Sequence, residues 1–182
     1  MSANNLMTIV LAAGKGTRMR SDTPKVLHAI AGRSMLGHVL AATSTVAAST
    51  SVVVVGPDMD PVAGEARKHV TDVAIAVQAK QRGTADAVLA AREMLAQHDG
   101  DVLVLFADTP LILPQTLSRL QAALAAGANI AVLGFEARNP TGYGRLICDA
   151  DGQLVAIREE KDASPDERRI TLCNSGVMGF RC

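Results

Sequence analysis

The sequence predicts an α/β protein built on a doubly wound, mostly parallel sheet that becomes mixed towards the end of the chain. Short apolar runs alternate with helical patterns from residue 7 to residue 135, which is typical of parallel strands joined by crossover helices. Polar stretches follow three of these runs directly. Ligands of such sheets bind outside the carboxyl ends of the strands, so these stretches are the first candidates for a site.

Five apolar or β-branched runs predict the strands of this first part of the chain. They lie at residues 7–11, 51–55, 73–77, 101–106 and 129–135. Helical patterns fall between them at residues 34–46, 59–69, 85–97 and 114–126. Thr84 is the expected N-cap of the third helix. Pro114 and Gly127 are expected to bound the fourth, since proline favours the first turn and glycine follows the last.

The pattern changes after residue 135. Two short strands are expected at residues 145–148 and 154–158, because the intervening DADG favours a hairpin turn. Residues 159–169 are highly charged and are expected to form a loop, and residues 172–180 form a final apolar stretch. At 182 residues the chain suits one domain, and no linker or internal repeat divides it.

The charge distribution favours a small anionic ligand. The formal net charge is zero, which gives no support for a nucleic-acid or membrane partner. Residues 1–33 nevertheless hold five Lys or Arg and only one acid. Three cysteines without metal-ligand spacing, and a start that does not read as a signal peptide, indicate reduced thiols in a cytoplasmic protein.

The loop LAAGKGTRM at residues 11–19 follows the first strand and closes at Pro24 and Lys25. Its two glycines carry no Cβ, so backbone N–H groups can come close to a ligand. Lys15, Arg18 and Lys25 add positive charge around the turn. Exposed amides with flanking cations suit a phosphate chain. The alternative is an ordinary basic surface turn.

The spacing excludes two other kinds of phosphate loop. A dinucleotide fingerprint needs a third glycine where Met19 stands, and an acidic residue about 20 positions further on, where the sequence reads SML. A P-loop needs a glycine where Ile9 stands and a hydroxyl residue where Gly16 stands. An NAD-type oxidoreductase is therefore disfavoured.

Asp108 follows the strand at 101–106, so its carboxylate is expected at the carboxyl edge of the sheet. A carboxylate there can hold Mg²⁺ together with substrate phosphates; the alternative is a turn-forming aspartate. Gln78 follows the third strand and can read a nucleobase edge, because a carboxamide both donates and accepts. Gly83 and Thr84 either belong to the same site or simply start a helix.

The later part of the chain offers candidates for a sugar site. The turn TGYGR at residues 141–145 can bring backbone close to a sugar, or it is a glycine-rich connection without a ligand. Glu159 and Asn174 lie next to apolar runs and can hydrogen-bond sugar hydroxyls. No Ser/His/Asp or Cys/His arrangement is evident, so nucleophilic catalysis is not indicated.

Taken together, these stretches resemble the sugar-phosphate nucleotidyltransferases. The resemblance is closest to the uridyltransferase domains of the bacterial bifunctional N-acetylglucosamine-1-phosphate uridyltransferase/glucosamine-1-phosphate acetyltransferases. The motifs that carry it stand in family order: LAAGKGTRM with PKVL, QAKQRGT, Asp108, PTGYGR, EEKDA and NSG. The resemblance implies a Rossmann-like sheet of the nucleotide-diphospho-sugar transferase type and one nucleotidyltransferase domain over residues 1–182.

The resemblance also implies a reaction, a cofactor and residue roles. UMP would pass from UTP to N-acetylglucosamine 1-phosphate, giving UDP-N-acetylglucosamine and pyrophosphate for cell-wall precursor synthesis, with Mg²⁺ as cofactor. Carried over by position, Arg18, Lys25 and Asp108 would be catalytic, and Asp108 would bind the metal. The substrate-binding residues would be Leu11, Ala12, Ala13, Gly14, Lys25, Gln78, Gly83 and Thr84 for the nucleotide, and Gly144, Glu159 and Asn174 for the sugar.

The sequence departs from the family pattern in places. Ala107 stands where close relatives often have glycine, and Glu159 is chosen over Glu160 by alignment alone. The family's domain continues past residue 182 with a second metal ligand, an asparagine, and the full-length proteins form trimers through a β-helix acetyltransferase domain that is missing here. The chain is therefore expected to be a C-terminally truncated fragment. A nucleotide-binding module without turnover, or another sugar-1-phosphate nucleotidyltransferase, stays an alternative.

Overall fold

A computed structural model describes residues 5–14, 16, 19–46 and 48–182. Its strands are β1 (Leu6–Leu11), β2 (Ala29–Ile30), β3 (Arg33–Ser34), β4 (Thr50–Val55), β5 (Ala74–Val77), β6 (Asp101–Phe106), β7 (Ile130–Glu136), β8 (Arg145–Cys148), β9 (Leu154–Arg158) and β10 (Leu172–Arg181). Its α-helices are α1 (Met35–Thr43), α2 (Asp60–His69), α3 (Thr84–Leu89), α4 (Arg92–Leu95) and α5 (Pro114–Ala125). The predicted α/β class, with a mixed and mostly parallel sheet, is confirmed.

The first of two compact units comprises Met1–Ala131 and Met178–Cys182. Its sheet has the parallel order β5-β4-β1-β6, and the end of β10 adds an antiparallel strand beside β6. Every residue of β1 is buried, as expected for a parallel strand covered on both faces. The strand order reverses direction at β1, which creates the switch point where ligands of such sheets bind.

Both faces of this sheet are covered by helices. Met7, Ile9 and Leu11 of β1 pack in one apolar cluster with Ala87 of α3 and Ala91, the residue before α4. Successive strand residues point to opposite faces, so the other buried residues of β1 face the side where α1 contacts the strand. Helix α1 also packs against α2 and α5.

The second unit, Val132–Val177, is antiparallel. Strands β8 and β9 form the predicted hairpin, and β10 pairs with β8 through Cys173 and Arg145. Strand β7 also pairs with β10, and Ser175 Oγ donates to Leu133 O at 2.7 Å. The single nucleotidyltransferase domain expected over residues 1–182 stays a prediction.

The expected helix over residues 85–97 is wrong in its start and its continuity. Thr84 is the first residue of α3 and not its N-cap; Gly83 holds the cap position at φ 114° and offers no side chain to cap with. The helix stops at Leu89, because Ala91 N turns to Val88 O in a tighter, three-residue step before α4 begins.

Three smaller differences have local causes. The hairpin β2–β3 was not predicted; it turns through Ala31 and Gly32, both at positive φ, the geometry of a two-residue hairpin loop. The first predicted helix ends in a 3₁₀ turn, Ser44–Val46, and begins after Ser34, whose Oγ caps it. The charged stretch 159–169 contains two 3₁₀ turns, Glu160–Asp162 and Glu167–Arg169.

Among the described residues, no helix is both long and apolar enough to cross a membrane.

Candidate active site

A cavity of about 570 Å³ opens at the carboxyl ends of β1, β5 and β6, within the first unit. These are the three strands whose following stretches the sequence singled out. Of the predicted nucleotide-side residues, the cavity is lined by Leu11, Ala12, Ala13, Gly14, Lys25, Gln78, Gly83, Thr84 and Asp108. Arg18, predicted to be catalytic, lies outside the described residues, as does Lys15.

The first residues after β1, Ala12 and Ala13, are held by two hydrogen bonds. Ala12 N donates to Val54 O at 2.8 Å, so the pairing with β4 continues one residue past the end of β1. Gln81 Nε2 donates to Ala13 O at 2.7 Å from the loop after β5. Sequence reasoning missed Gln81; its place three residues after Gln78, in a stretch already singled out, was the available signal. The two loops are thus tied together, and both residues of this contact line the cavity.

Gly16, in the loop after β1, lies directly against Lys25. A Cβ at Gly16 would lie 2.5 Å from Lys25 Cβ, and the residue has φ +62°, which favours glycine. Close approach and backbone conformation therefore both require glycine at this position. Lys25 itself begins a 3₁₀ turn and lines the cavity.

Lys25 and Asp108 form the charged wall of the cavity. Lys25 Nζ donates to Asp108 Oδ2 at 2.6 Å, although 83 residues separate them in sequence. They are the charged residues among the described residues that line the cavity. A cation and a carboxylate side by side can together hold phosphate oxygens and a divalent cation.

The donor set of this cavity fits Mg²⁺ through one carboxylate, that of Asp108. Asp108 offers a carboxylate that already receives a cationic partner, the Lys25 ammonium. Over the residues that the structure describes, no group of three His, Cys, Asp or Glu is arranged to hold a metal ion. Mg²⁺ is nevertheless commonly bound through one or two carboxylates together with substrate phosphates. Asp108 is thus the residue here that would hold it, with phosphate completing the coordination.

Gln78 lines the cavity and makes three hydrogen bonds. It is 5% exposed, and its Nε2 donates to Asp86 Oδ2 at 2.9 Å and to Gly83 O at 3.2 Å. Its backbone N donates to Val55 O at 2.8 Å. Asp86 was not predicted, because the helical pattern gave it an unremarkable position in the first turn. Thr84 also lines the cavity and is exposed.

The three predicted sugar-side residues come together within the second unit. Asn174 N donates to Gly144 O at 2.8 Å, and a Cβ at Gly144 would lie 3.3 Å from Glu159 Oε1. Asn174 Oδ1 accepts from Gly176 N at 2.9 Å. The side-chain nitrogen of Asn174, Nδ2, has no hydrogen-bond partner among the described residues. Gly144, Glu159 and Asn174 therefore form one small polar cluster.

The neighbouring Glu160 has a structural partner. Its Oε2 accepts from Arg145 Nη2 at 2.6 Å, and the Arg145 side chain is 1% exposed. This hydrogen bond is the main reason why the pKa of Glu160 lies below its usual value. Glu159 O accepts from Asp162 N at 3.0 Å, but the Glu159 carboxylate has no hydrogen bond or ion pair within the described part of the chain. Of the two adjacent carboxylates, Glu159 is the one free to meet a ligand.

Arg145 organises the buried side of this cluster. Its guanidinium also donates to Tyr143 O and, at 3.2 Å, to Arg168 O. Tyr143 in turn contacts Phe135 edge-on with ring centroids 5.0 Å apart. Burial raises the pKa of the Cys173 thiol, so this neighbour of Arg145 stays uncharged. Arg145 thus supports the turn that carries Gly144.

Comparison with protein families finds a match to the model of the MobA-like NTP transferase domain over residues 8–168. The sequence is similar to proteins named "Bifunctional protein GlmU": 58% identical over 181 residues in Azorhizobium caulinodans, 60% over 180 in a Bradyrhizobium species and 57% over 180 in Xanthobacter autotrophicus. These matches cover 99–100% of this chain and 40% of each relative. The chain thus spans about 40% of the length of the curated relatives it matches.

A solved structure shows the same fold. The CMP:2-keto-3-deoxy-manno-octonic acid synthetase complexed with CTP superposes with a TM-score of 0.72 over 97% of this chain and 74% of that chain. The two sequences are 16% identical, so the likeness concerns the fold alone. The mixed sheet and its helices are therefore a known architecture.

Proposed function

The chain belongs to the family of MobA-like NTP transferase domains, and we propose that it transfers UMP from UTP to N-acetylglucosamine 1-phosphate. The products are UDP-N-acetylglucosamine, a cell-wall precursor, and pyrophosphate. The observation that carries the proposal is the cavity in which three strand ends bring the phosphate loop, Gln78, Lys25 and Asp108 together. Similarity to the GlmU proteins and the resemblance of the motifs support the choice of substrates.

The nucleotide lies in the cavity of the first unit under this proposal. The backbone of residues 11–14 approaches the ribose and uracil, because Gly14 has open space around it and Gln81 fixes the loop. Gln78, Gly83 and Thr84 hold the base. Arg18 and Lys25 neutralise the triphosphate. The polar cluster of Gly144, Glu159 and Asn174 holds the N-acetylglucosamine.

The reaction is an in-line displacement at the α-phosphorus of UTP. A phosphate oxygen of the sugar 1-phosphate forms the new P–O bond, while the bond to the β-phosphate bridging oxygen breaks and pyrophosphate leaves with its electron pair. Such transfers depend on positioning and charge stabilisation more than on a covalent nucleophile. Lys25 supplies positive charge where negative charge develops.

Asp108 is the residue that would hold Mg²⁺. When bound, the metal would neutralise phosphate charge and orient the triphosphate. The Lys25 ammonium now paired with Asp108 has phosphate oxygens as an alternative partner, so the pair can separate when the nucleotide enters. We also place the reaction in the cytoplasm, in keeping with three free cysteines and a nucleoside triphosphate substrate.

Pyrophosphate release from UTP, N-acetylglucosamine 1-phosphate and Mg²⁺ tests the proposal, with Asp108→Ala as the inactive control. Release that vanishes in the variant supports it, and comparison with CTP, dTTP and glucose 1-phosphate tests the substrates. Binding of UTP without release would favour the second candidate, a nucleotide-binding module. That candidate has a specific basis: Asp108 is the single carboxylate among the described lining residues. A chain that binds no nucleotide would overturn both.

A further inference from the structure

We propose that Asp86 is a positioning residue that sets the base preference of the cavity by fixing which way the Gln78 carboxamide faces. The inference rests on the proposed function, because it concerns the base of the nucleotide that the cavity takes. Asp86 itself does not line the cavity. It acts through Gln78, which does.

The hydrogen bonds leave the Gln78 carboxamide one orientation. A carboxamide nitrogen carries two N–H donors, whereas a carboxylate and a backbone carbonyl can only accept. Asp86 Oδ2 lies 2.9 Å and Gly83 O lies 3.2 Å from Gln78 Nε2. If the carboxamide were reversed, its oxygen would face two acceptors, one of them charged. The nitrogen is therefore turned towards α3.

The consequence is a free acceptor in the cavity wall. Gln78 Oε1 has no hydrogen-bond donor among the described residues, and it is not one of the buried unpaired side-chain atoms. It belongs to a residue that is 5% exposed. A carbonyl-type oxygen at such a place is satisfied by a ligand that brings an N–H.

Asp86 is the stronger of the two partners that hold this orientation. Gly83 O already accepts from Ala87 N at 3.1 Å, the first hydrogen bond of α3. The charged Asp86 carboxylate gives the shorter bond, and bonds to charged groups are stronger than those between neutral groups. Without Asp86, the Gln78 carboxamide nitrogen keeps only its hydrogen bond to Gly83 O, which also accepts from Ala87 N. The carboxamide is then free to turn.

An acceptor at this position distinguishes the two pyrimidines. Uracil carries an N–H at N3, flanked by two carbonyl oxygens, and can donate to Gln78 Oε1. Cytosine has a lone pair at N3, so the same position places two acceptors against each other. Unpaired or opposed polar groups discriminate more strongly than differences in shape. The orientation held by Asp86 therefore favours UTP over CTP.

The test compares the dissociation constants of UTP and CTP in the presence of Mg²⁺, for the wild type, Asp86→Asn and Asp86→Ala. Asp86→Asn is nearly isosteric but introduces a carboxamide that can donate to Gln78 Oε1 and so permits the reversed orientation. Glu93→Gln is the matched control, since it removes one carboxylate from the neighbouring helix α4, where Glu93 is exposed. Melting curves establish that each variant is folded.

The wild type is expected to prefer UTP, and Glu93→Gln to keep that preference. Asp86→Asn is expected to reduce the ratio of the two affinities by roughly tenfold, about 1.4 kcal/mol, mostly through weaker UTP binding. The ¹⁵N-resolved side-chain amide signals of Gln78 are expected to shift in both Asp86 variants. If Asp86 only stabilised the fold, its substitution would change the melting temperature and leave the ratio of UTP to CTP affinity unchanged.

The outcomes separate this inference from the function on which it rests. A wild type that prefers UTP, with the same ratio in folded Asp86→Asn, overturns the role of Asp86 alone. A wild type that binds both nucleotides equally overturns it too, while leaving nucleotidyl transfer standing. A wild type that binds neither overturns the proposed function and the inference with it. If Asp86→Ala fails to fold, the isosteric Asp86→Asn decides.

Discussion

Lys25 Nζ and Asp108 Oδ2 lie 2.6 Å apart in the lining of the cavity. The contact joins the segment that follows the β1 loop to the stretch that follows β6. Both side chains are about one-third exposed, at 37% and 35%. Ion pairs with this exposure contribute little to stability, so the pair can open without a large cost. The arrangement keeps a cation beside the carboxylate and close to the expected position of the triphosphate.

Lys25→Ala is expected to lower turnover more than it weakens UTP binding. Loss of a charge that acts on the developing negative charge typically costs roughly 10²-fold in kcat, whereas ground-state UTP keeps its other contacts. Single-turnover rates and UTP dissociation constants measure the two effects separately. Lys80→Ala, which removes an exposed cation from the same unit, is the control. Equal losses in rate and affinity would contradict a transition-state role for Lys25.

Gly16→Ala is expected to destabilise the fold and to displace Lys25. The new Cβ would stand 2.5 Å from Lys25 Cβ, an atom that cannot turn away, and the backbone would keep an unfavourable positive φ. Gly32→Ala shares the positive φ but meets nothing within 4 Å, so it isolates the effect of the clash. Urea denaturation should show Gly16→Ala to be less stable than Gly32→Ala by roughly 1–3 kcal/mol. Equal stabilities would mean that the loop accommodates the methyl group.

The parts of the fold predicted from sequence are those governed by local pattern. The strands at 101–106, 145–148 and 154–158 have the predicted bounds, since apolar runs between turn residues leave little freedom. The break after Leu89 was not predictable, because Ala90 and Ala91 both favour helix. The hairpin β2–β3 escaped notice because alanine at positive φ is unusual in its turn.

In the candidate site, too, the residues that follow from local pattern and topology were predictable, and those that depend on side-chain contacts were not. Residues at strand ends were predictable, because topology alone brings the carboxyl ends of parallel strands to one edge. Gln81 and Asp86 act through contacts with Ala13 and Gln78, and the Gln81 contact spans 68 residues of sequence. Such hydrogen bonds depend on side-chain geometry that no spacing rule encodes. The preference for Glu159 over Glu160 has a physical reason that the sequence does not show: the Glu160 carboxylate is paired with Arg145.

The Glu65 carboxylate joins α2 to the start of α1. Ser34 Oγ, which caps α1, donates to Glu65 Oε1 at 2.6 Å, and Lys68 and His69 donate to the same carboxylate at 3.1 and 3.2 Å. The Ser34 bond, followed by those from Lys68 and His69, outweighs burial and lowers the pKa of Glu65 to about 2. The carboxylate is therefore charged at neutral pH and holds the two helices together.

Glu65→Gln is expected to lose stability at neutral pH and to lose less in acid. Since the pKa is lowered on folding, the charged form contributes stability above the unfolded value of 4.5, and this contribution disappears as pH falls towards 2. The difference from wild type should be roughly 1–3 kcal/mol near pH 6 and should shrink near pH 3. Urea denaturation at the two pH values measures it, with Glu93→Gln as the exposed control. A difference that does not change with pH would contradict the assigned charge.

Glu159→Gln and Glu160→Gln are adjacent substitutions with opposite expected results. Glu160→Gln leaves the 1% exposed Arg145 guanidinium without its carboxylate, and Arg145 Nε already has no partner within the described residues. An unpaired buried charge is strongly destabilising, so Tm should fall by several degrees. Glu159→Gln breaks no such pair, so Tm should hold while KM for N-acetylglucosamine 1-phosphate rises roughly tenfold, the loss of one charged hydrogen bond. Each variant thus serves as the other's control. A raised KM with unchanged Tm in Glu160→Gln, and not in Glu159→Gln, would reverse the assignment and make Glu160 the sugar ligand.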